Sequence, residues 1–170
     1  RRTALAGVFP STTTKHELQP IDRAWITTEL LPRLLDDSEK TGSMATVIVM
    51  TLSHPGVPTE AASTLDAPIG HLAHRVREML RPVDTLSRLG DSQLLVVCSD
   101  LSISADADRI ARRLHNWCIA SPLRPRNSKP LVLATGYAIF SAGDSAEEVL
   151  DYAVSDSATV EAGGLWSAAA

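Results

Sequence analysis

The residues best equipped for chemistry lie in three places: Arg81-Pro-Val-Asp84, Gly90-Asp91-Ser92-Gln93-Leu94, and the arginines at 109, 112 and 113. A guanidinium can fork onto phosphate, and a carboxylate three residues away can accept N–H donors, so Arg81 and Asp84 together suit an anionic ligand that also carries donors. The same pair suits plain structure, because an arginine ends a helix well and an aspartate opens the next turn. Both readings stand at this level. His71 and His74 have metal-pair spacing, yet no clustered Cys, Asp or Glu completes a site, and surface histidines are expected. Cys98 alternates with apolar neighbours and reads as core, and Arg124, Arg126 and Lys129 read as a solvated basic loop.

A β-hairpin must position the first two groups, with strands near Thr85–Leu89 and Gln93–Cys98 and a tight turn at Gly90-Asp91. The helix before it is expected to be capped by Asp66, with Pro68 in its first turn. Ile69, Leu72, Ala73, Val76 and Leu80 share one face of it, and Arg75, Arg77 and Arg81 favour the negative end of its dipole. The helix after the hairpin, Ser104 to Ala120, is expected to bury Ala107, Ile110, Ala111, Leu114 and Trp117. Arg109, Arg112 and Arg113 then share its opposite face.

Further out, Leu18 to Leu35 has helical apolar spacing that Pro32 should kink or divide. A polar connection over 36–43 follows, then a continuous apolar strand, Ala45 to Leu52, of the kind buried on both faces. A Pro/Gly-rich loop covers 53–62. After the basic loop at 122–130 comes a strand from Leu131 to Phe140, interrupted at Gly136. A helix with a Ser145/Glu148 capping box then buries Val149, Leu150 and Ala153. Alternation with one hairpin implies a mixed sheet covered by helices, an α/β or α+β sandwich.

At 170 residues this is one domain over 15–162, with 1–14 an extension or linker and 163–170 a tail. A net charge of −4 argues against a general nucleic-acid or anionic-membrane surface. Two cysteines form neither a disulfide framework nor a zinc site, in keeping with a reducing cytoplasm. Apolar runs such as Ala45–Met50 are too short to enter and span a bilayer, and no secretory signal is visible. Because it begins at Arg1, the chain reads as a piece of a longer protein.

With the hairpin set between those helices, the chain resembles a GGDEF domain, the diguanylate cyclase family, from about His16 to Ala158. His16-Glu-Leu-Gln-Pro-Ile-Asp-Arg23 is similar to the family's opening Asp-x-Leu-Thr-Gly-Leu-x-Asn-Arg. Leu131–Ala138 stands where the family's late strand ends in Ser-Ile-Gly, and Asp144–Ala153 resembles the approach to its last helix. The resemblance implies a nucleotide-cyclase-like central mixed sheet of about five strands flanked by helices. Aligned on Arg88-Leu-Gly90, the five signature positions read Gly90, Asp91, Ser92, Gln93 and Leu94.

Cyclases of the family join two GTP molecules with two divalent metals, which want hard carboxylate oxygens. Here the signature metal ligand falls on Ser92, the catalytic glutamate on Gln93 and the strand-end metal aspartate near Thr51. Asp91 stands where family backbone approaches phosphate. The resemblance therefore implies a degenerate domain with no catalytic residue, no metal and no cofactor. It also implies an inhibitory-type Arg-x-x-Asp site for cyclic di-GMP at Arg81 and Asp84, with Arg113 as the family's second arginine and Arg109 as its neighbour. Of the substrate-side residues only Asp66 matches, at the guanine-recognising position.

The expected role is a regulatory module of a larger bacterial signalling protein, beside a domain such as EAL or PAS. Alternatives are a ligand-free scaffold for homodimerisation or interaction, and a non-hydrolysing GTP-binding switch through Asp66. Gly90-Asp91-Ser92 is also similar to the Gly-Asp-Ser block of one serine hydrolase family. That family needs a histidine near its C-terminus, however, and the last histidine here is His115.

Overall fold

The computed structural model describes residue 18 and residues 20–54, 65–120 and 131–159. The expected extension at 1–14, most of the similarity over His16–Gln19, residues 55–62 of the expected loop, the basic loop with Arg124, Arg126 and Lys129, and the tail at 163–170 lie outside those residues.

A short helix α1 (Arg23–Trp25) runs through a π turn (Ile26–Leu30) into α2 (Leu31–Thr41). Pro32 occupies the first turn of α2, where its missing N–H costs least, and the wider turn ahead of it absorbs the division that proline imposes. The expected connection over 36–43 is instead the rest of α2. Asp36, Asp37, Glu39 and Lys40 are its solvent face, and Gly42 ends it in the left-handed conformation (φ 67°), donating to the Ser38 carbonyl at 2.8 Å.

Four strands follow, β1 (Met44–Ser53), β2 (Thr85–Arg88), β3 (Gln93–Leu101) and β4 (Val132–Phe140), in the order β2-β3-β1-β4. Three further helices, α3 (Asp66–Met79), α4 (Ser104–Ile119) and α5 (Ala146–Thr159), complete the described elements. Among the described residues every strand pairing is antiparallel, so in place of the expected mixed sheet of about five strands they form an antiparallel sheet of four. Two crossovers do join parallel strands, β1 to β2 through α3 and β3 to β4 through α4, but another strand is inserted between the members of each pair. This is the split βαβ arrangement. The one parallel contact is a bridge between Pro20 and Arg88 on the outer edge of β2, where the Ile21 N–H donates to the Arg88 carbonyl at 2.8 Å. Proline has no N–H with which to extend a ladder there.

The two faces of β1 divide the core. Ile48, Met50 and Leu52, with Leu94, Val96 and Cys98 of β3, pack against Ile69, Leu72 and Val76 of α3 and Ala107, Ala111 and Leu114 of α4. Val47 and Val49, with Leu95 and Val97, pack against Ile26, Leu30 and Leu31 on one side and Val149, Leu150 and Ala153 of α5 on the other. The continuous apolar run is thus buried on both faces, as its sequence predicts.

Two further corrections come from helix packing. Trp117 is 43% exposed rather than core, because the buried stripe of α4 swings to His115 and Cys118. Its ring lies under the Arg75 guanidinium at 5.9 Å, while Arg75 Nη1 donates to the Cys118 carbonyl at 2.8 Å, tying α3 to α4. His115 is buried, its Nδ1 3.0 Å from Thr135 Oγ1.

Gly136 does not interrupt β4, which runs unbroken and pairs Gly136 with Val49. It is the point where α5 crosses the sheet backbone to backbone: a Cβ there would lie 2.3 Å from the Ser157 nitrogen and 2.6 Å from the Ala153 carbonyl oxygen. No helix among the described residues is long and apolar enough to cross a membrane.

Because the atoms facing Gly136 are backbone, they cannot swing aside. Gly136→Ala is expected to destabilise the domain by about 1–3 kcal/mol through overpacking, read as a lower urea midpoint with unchanged slope.

Candidate functional site

The hairpin offers two polar centres at opposite ends. At its tip, Leu89 N–H donates to the Gln93 carbonyl at 3.0 Å and closes the turn. Neither a positive φ nor a nearby atom requires a glycine at Gly90. Gln93 pairs with Thr51 across β1 and β3, and its Nε2 donates to Thr51 Oγ1 at 3.1 Å. Thr51 Oγ1 in turn lies 3.0 Å from Ser157 Oγ on α5, and the Ser92 carbonyl accepts from the Leu52 N–H at 2.8 Å. The result is a neutral network of hydroxyls and one amide. Among the described residues no group of three or more His, Cys, Asp or Glu could hold a metal.

Asp66 is not the cap that the sequence predicts. It is the first residue of α3, which has no side-chain cap, and its carboxylate instead accepts from Arg88 Nη2 at 2.6 Å. Arg88, with a side chain only 11% exposed, also donates from Nε to the Gly90 carbonyl at 2.8 Å and from Nη2 to the Asp91 carbonyl at 2.9 Å. One guanidinium therefore pins the tip to α3. The sequence reading used Arg88 only to set the alignment and carried no signal for its link to Asp66, which lies 22 residues away. His71 and His74 are exposed, as expected, with His74 3.6 Å from Glu78.

At the other end of the hairpin, a cavity of about 380 Å³ opens between the end of α3, the end of β3 and the first half of α4. Arg81, Asp84, Arg109 and Arg113 all line it. The turn from α3 into β2 is closed by Asp84 N–H donating to the Arg81 carbonyl at 3.0 Å. The Asp84 carboxylate returns a bond to the Arg81 N–H at 2.9 Å and takes the guanidinium in a fork, Nε at 3.2 Å and Nη2 at 2.8 Å. Arg81 Nη2 donates as well to the Ser99 carbonyl at 2.8 Å.

The pair is asymmetric: Asp84 has a side chain only 4% exposed, whereas that of Arg81 is 48% exposed. The carboxylate is an internal anchor, and the guanidinium is what the cavity presents. Bonding to Asp84 raises the Arg81 pKa above its ordinary value, so the group stays charged. Burial, with Asp84 close by, pushes the Cys98 thiol up to about 12; burial likewise pushes Cys118 up to about 11. Both are core thiols.

Arg113 Nη2 donates to the Met79 carbonyl at 3.3 Å, and Arg109 Nη1 meets Asp106 at 2.7 Å. The sequence reading missed three other polar lining residues, Asp100, Ser102 and Asp106. Asp106 had a legible signal, since it stands one helical turn before Arg109. Asp100 had none.

No protein-family model matches the sequence, and no curated protein matches it. Solved structures do. The isolated GGDEF domain of TpbB (YfiN) from Pseudomonas aeruginosa superposes with a TM-score of 0.71 at 22% identity, covering 91% of this chain and 94% of that one. The GGDEF domain of DgcB from Caulobacter crescentus, solved in complex with c-di-GMP, gives 0.71 at 14% identity over 94% of this chain and 98% of that one. The FimX GGDEF domain from Pseudomonas aeruginosa gives 0.71 at 17% identity over 91% and 99%.

The chain has the GGDEF fold.

This GGDEF-like domain shares its fold with those solved domains at identities of only 14–22%, which shows how little the fold depends on particular side chains. The Arg81–Asp84 geometry has a consequence for stability. Arg81→Ala leaves a buried carboxylate short of its strongest donors and is expected to cost about 1–3 kcal/mol by denaturant unfolding. In the native state Cys98 and Cys118 are expected to resist an aromatic disulfide reagent at pH 8 and to react fully once the chain is unfolded. Because their folded pKa values are raised, these thiols contribute stability that is complete below pH 9 and falls as the pH rises towards 11–12.

Proposed function

We propose that this GGDEF-like domain is a catalytically silent regulatory module that binds cyclic di-GMP in the cavity beside Arg81 and relays its occupancy to another part of a larger signalling protein. The observation that carries this reading is convergence. Arg81, Asp84, Arg109 and Arg113, chosen from sequence as an Arg-x-x-Asp site with helper arginines, line one cavity although the first two lie in the turn before β2 and the last two on α4.

The chemistry supports an anionic ligand with base edges. Three guanidinium groups bring positive charge and their remaining N–H donors to phosphate or to the acceptor edge of guanine. Two charge-assisted arginine contacts supply roughly 3–6 kcal/mol, whereas micromolar binding needs about 8. A third arginine and base stacking would make up the difference.

Loss of catalysis is supported by the opposite end of the hairpin. Thr51, Ser92 and Gln93 offer hydroxyls and an amide where two magnesium ions and a triphosphate would need carboxylates, and the side chains of Thr51 and Gln93 already bond to each other and, through Thr51, to Ser157. The donor set does not fit the metal ions. Asp66 is engaged by Arg88, which argues against a GTP switch built on it.

The neighbour through which such a signal would act is a domain of the EAL or PAS type, in a cytoplasmic protein. A second reading, a ligand-free interaction scaffold with or without homodimerisation, is favoured by one observation: Arg81 and Asp84 already satisfy each other within the turn.

Calorimetric titration with cyclic di-GMP separates the two. Wild type is expected to bind in the micromolar range. Arg113→Ala, whose side chain is exposed and which should fold normally, is expected to bind at least about tenfold more weakly, the loss of one charged hydrogen bond. Absence of heat with the wild type would sink the binding reading and leave the scaffold. No cyclic di-GMP is expected from GTP and Mg²⁺; detectable product would overturn the proposed silence.

A further inference from the structure

The end of β3 is irregular in a way that bears on the cavity. Thr46 of β1 pairs with Cys98, but Met44, two residues back, pairs with Leu101, three residues on, so β3 carries one extra residue. Cys98 and Leu101 consequently both face the same core layer. A bulge of this kind re-aims the residues inside it. Within it, Asp100 has φ 56°, the one positive φ of a non-glycine residue among those described. Aspartate adopts the left-handed conformation more readily than most residues, yet it is still uncommon and collects at functional positions.

The bulge has two effects. It turns the Ser99 carbonyl to accept Arg81 Nη2 at 2.8 Å, and it places Asp100 on the cavity lining. Three carboxylates line that cavity, and two are spent. Asp84 is forked by Arg81, and Asp106 takes Arg109. Asp100 is exposed and close enough to Arg81 to help hold its charge, but no side-chain hydrogen bond to its carboxylate is found among the described residues.

We infer that Asp100, rather than Asp84, is the specificity-determining residue of the cavity, accepting the paired N1–H and N2–H donors of a guanine base. Guanine presents two adjacent donors that match the two oxygens of a carboxylate, whereas adenine presents an acceptor at N1 that a carboxylate repels. The arginines would hold phosphate of either cyclic dinucleotide, so discrimination falls to the carboxylate that is not hydrogen-bonded within the domain. This inference rests on the proposed cyclic di-GMP reading and assigns to Asp100 the recognition that spacing alone gives to Asp84.

The test titrates cyclic di-GMP and cyclic di-AMP into wild type, Asp100→Asn and Asp100→Gly. Asparagine and glycine both tolerate the left-handed backbone, so the bulge and the Arg81–Ser99 contact should survive. Wild type is expected to prefer cyclic di-GMP. Both variants should lose about tenfold or more in affinity for it, the loss of a charged hydrogen bond, with cyclic di-AMP changed by less than about twofold. Either folded variant binding cyclic di-GMP as wild type does would overturn the role of Asp100 while leaving the binding reading intact. A wild type that binds neither dinucleotide overturns both.

Discussion

Strand β1 is hydrogen-bonded along both edges and covered by helices on both faces, and everything else in the domain is placed relative to it. Its register with β3 fixes Thr51 opposite Gln93, and its register with β4 fixes Val49 opposite Gly136. A slip of one residue would exchange the two apolar sets and face Ile48, Met50 and Leu52 towards α5 instead of α3 and α4. That double burial makes the register unique. In turn it fixes where the hairpin must lie, because β3 is the strand between β1 and β2.

From that frame the two ends of the hairpin acquire opposite electrostatic character. At the tip, Thr51, Gln93 and Ser157 form a neutral network, and Arg88 is consumed in holding backbone carbonyls and Asp66, with the exposed Asp91 carboxylate 3.9 Å away. At the base, the end of α3, the bulged end of β3 and α4 meet, and charges of both signs remain at a cavity. Buried carboxylates are tolerable only when paired, and Asp84 meets that condition through Arg81 while presenting the guanidinium outward. The pair thus serves the fold and a site together: the contact that makes Asp84 affordable is also the one that sets the direction of Arg81.

The sequence by itself determined the periodic features. Double burial of the run at 45–52, the hairpin, the amphipathic helices at 66–79 and 104–119 and the arginine face of α4 follow from apolar spacing and turn chemistry, which act over a few residues. The Arg81–Asp84 pair and the α4 arginines were legible only through the family resemblance, which set their spacing. Tertiary structure decided what depends on atoms distant in sequence. Polar residues 36–41 are helix rather than loop because α2 needs only one buried face. Gly136 admits the α5 backbone instead of breaking a strand, Trp117 is drawn outward by Arg75, and Asp66 is claimed by Arg88 rather than by its own helix. The bulge that brings Asp100 to the cavity exists only as a mismatch between two strands, and a mismatch of that kind has no local signature, since neither strand carries it alone.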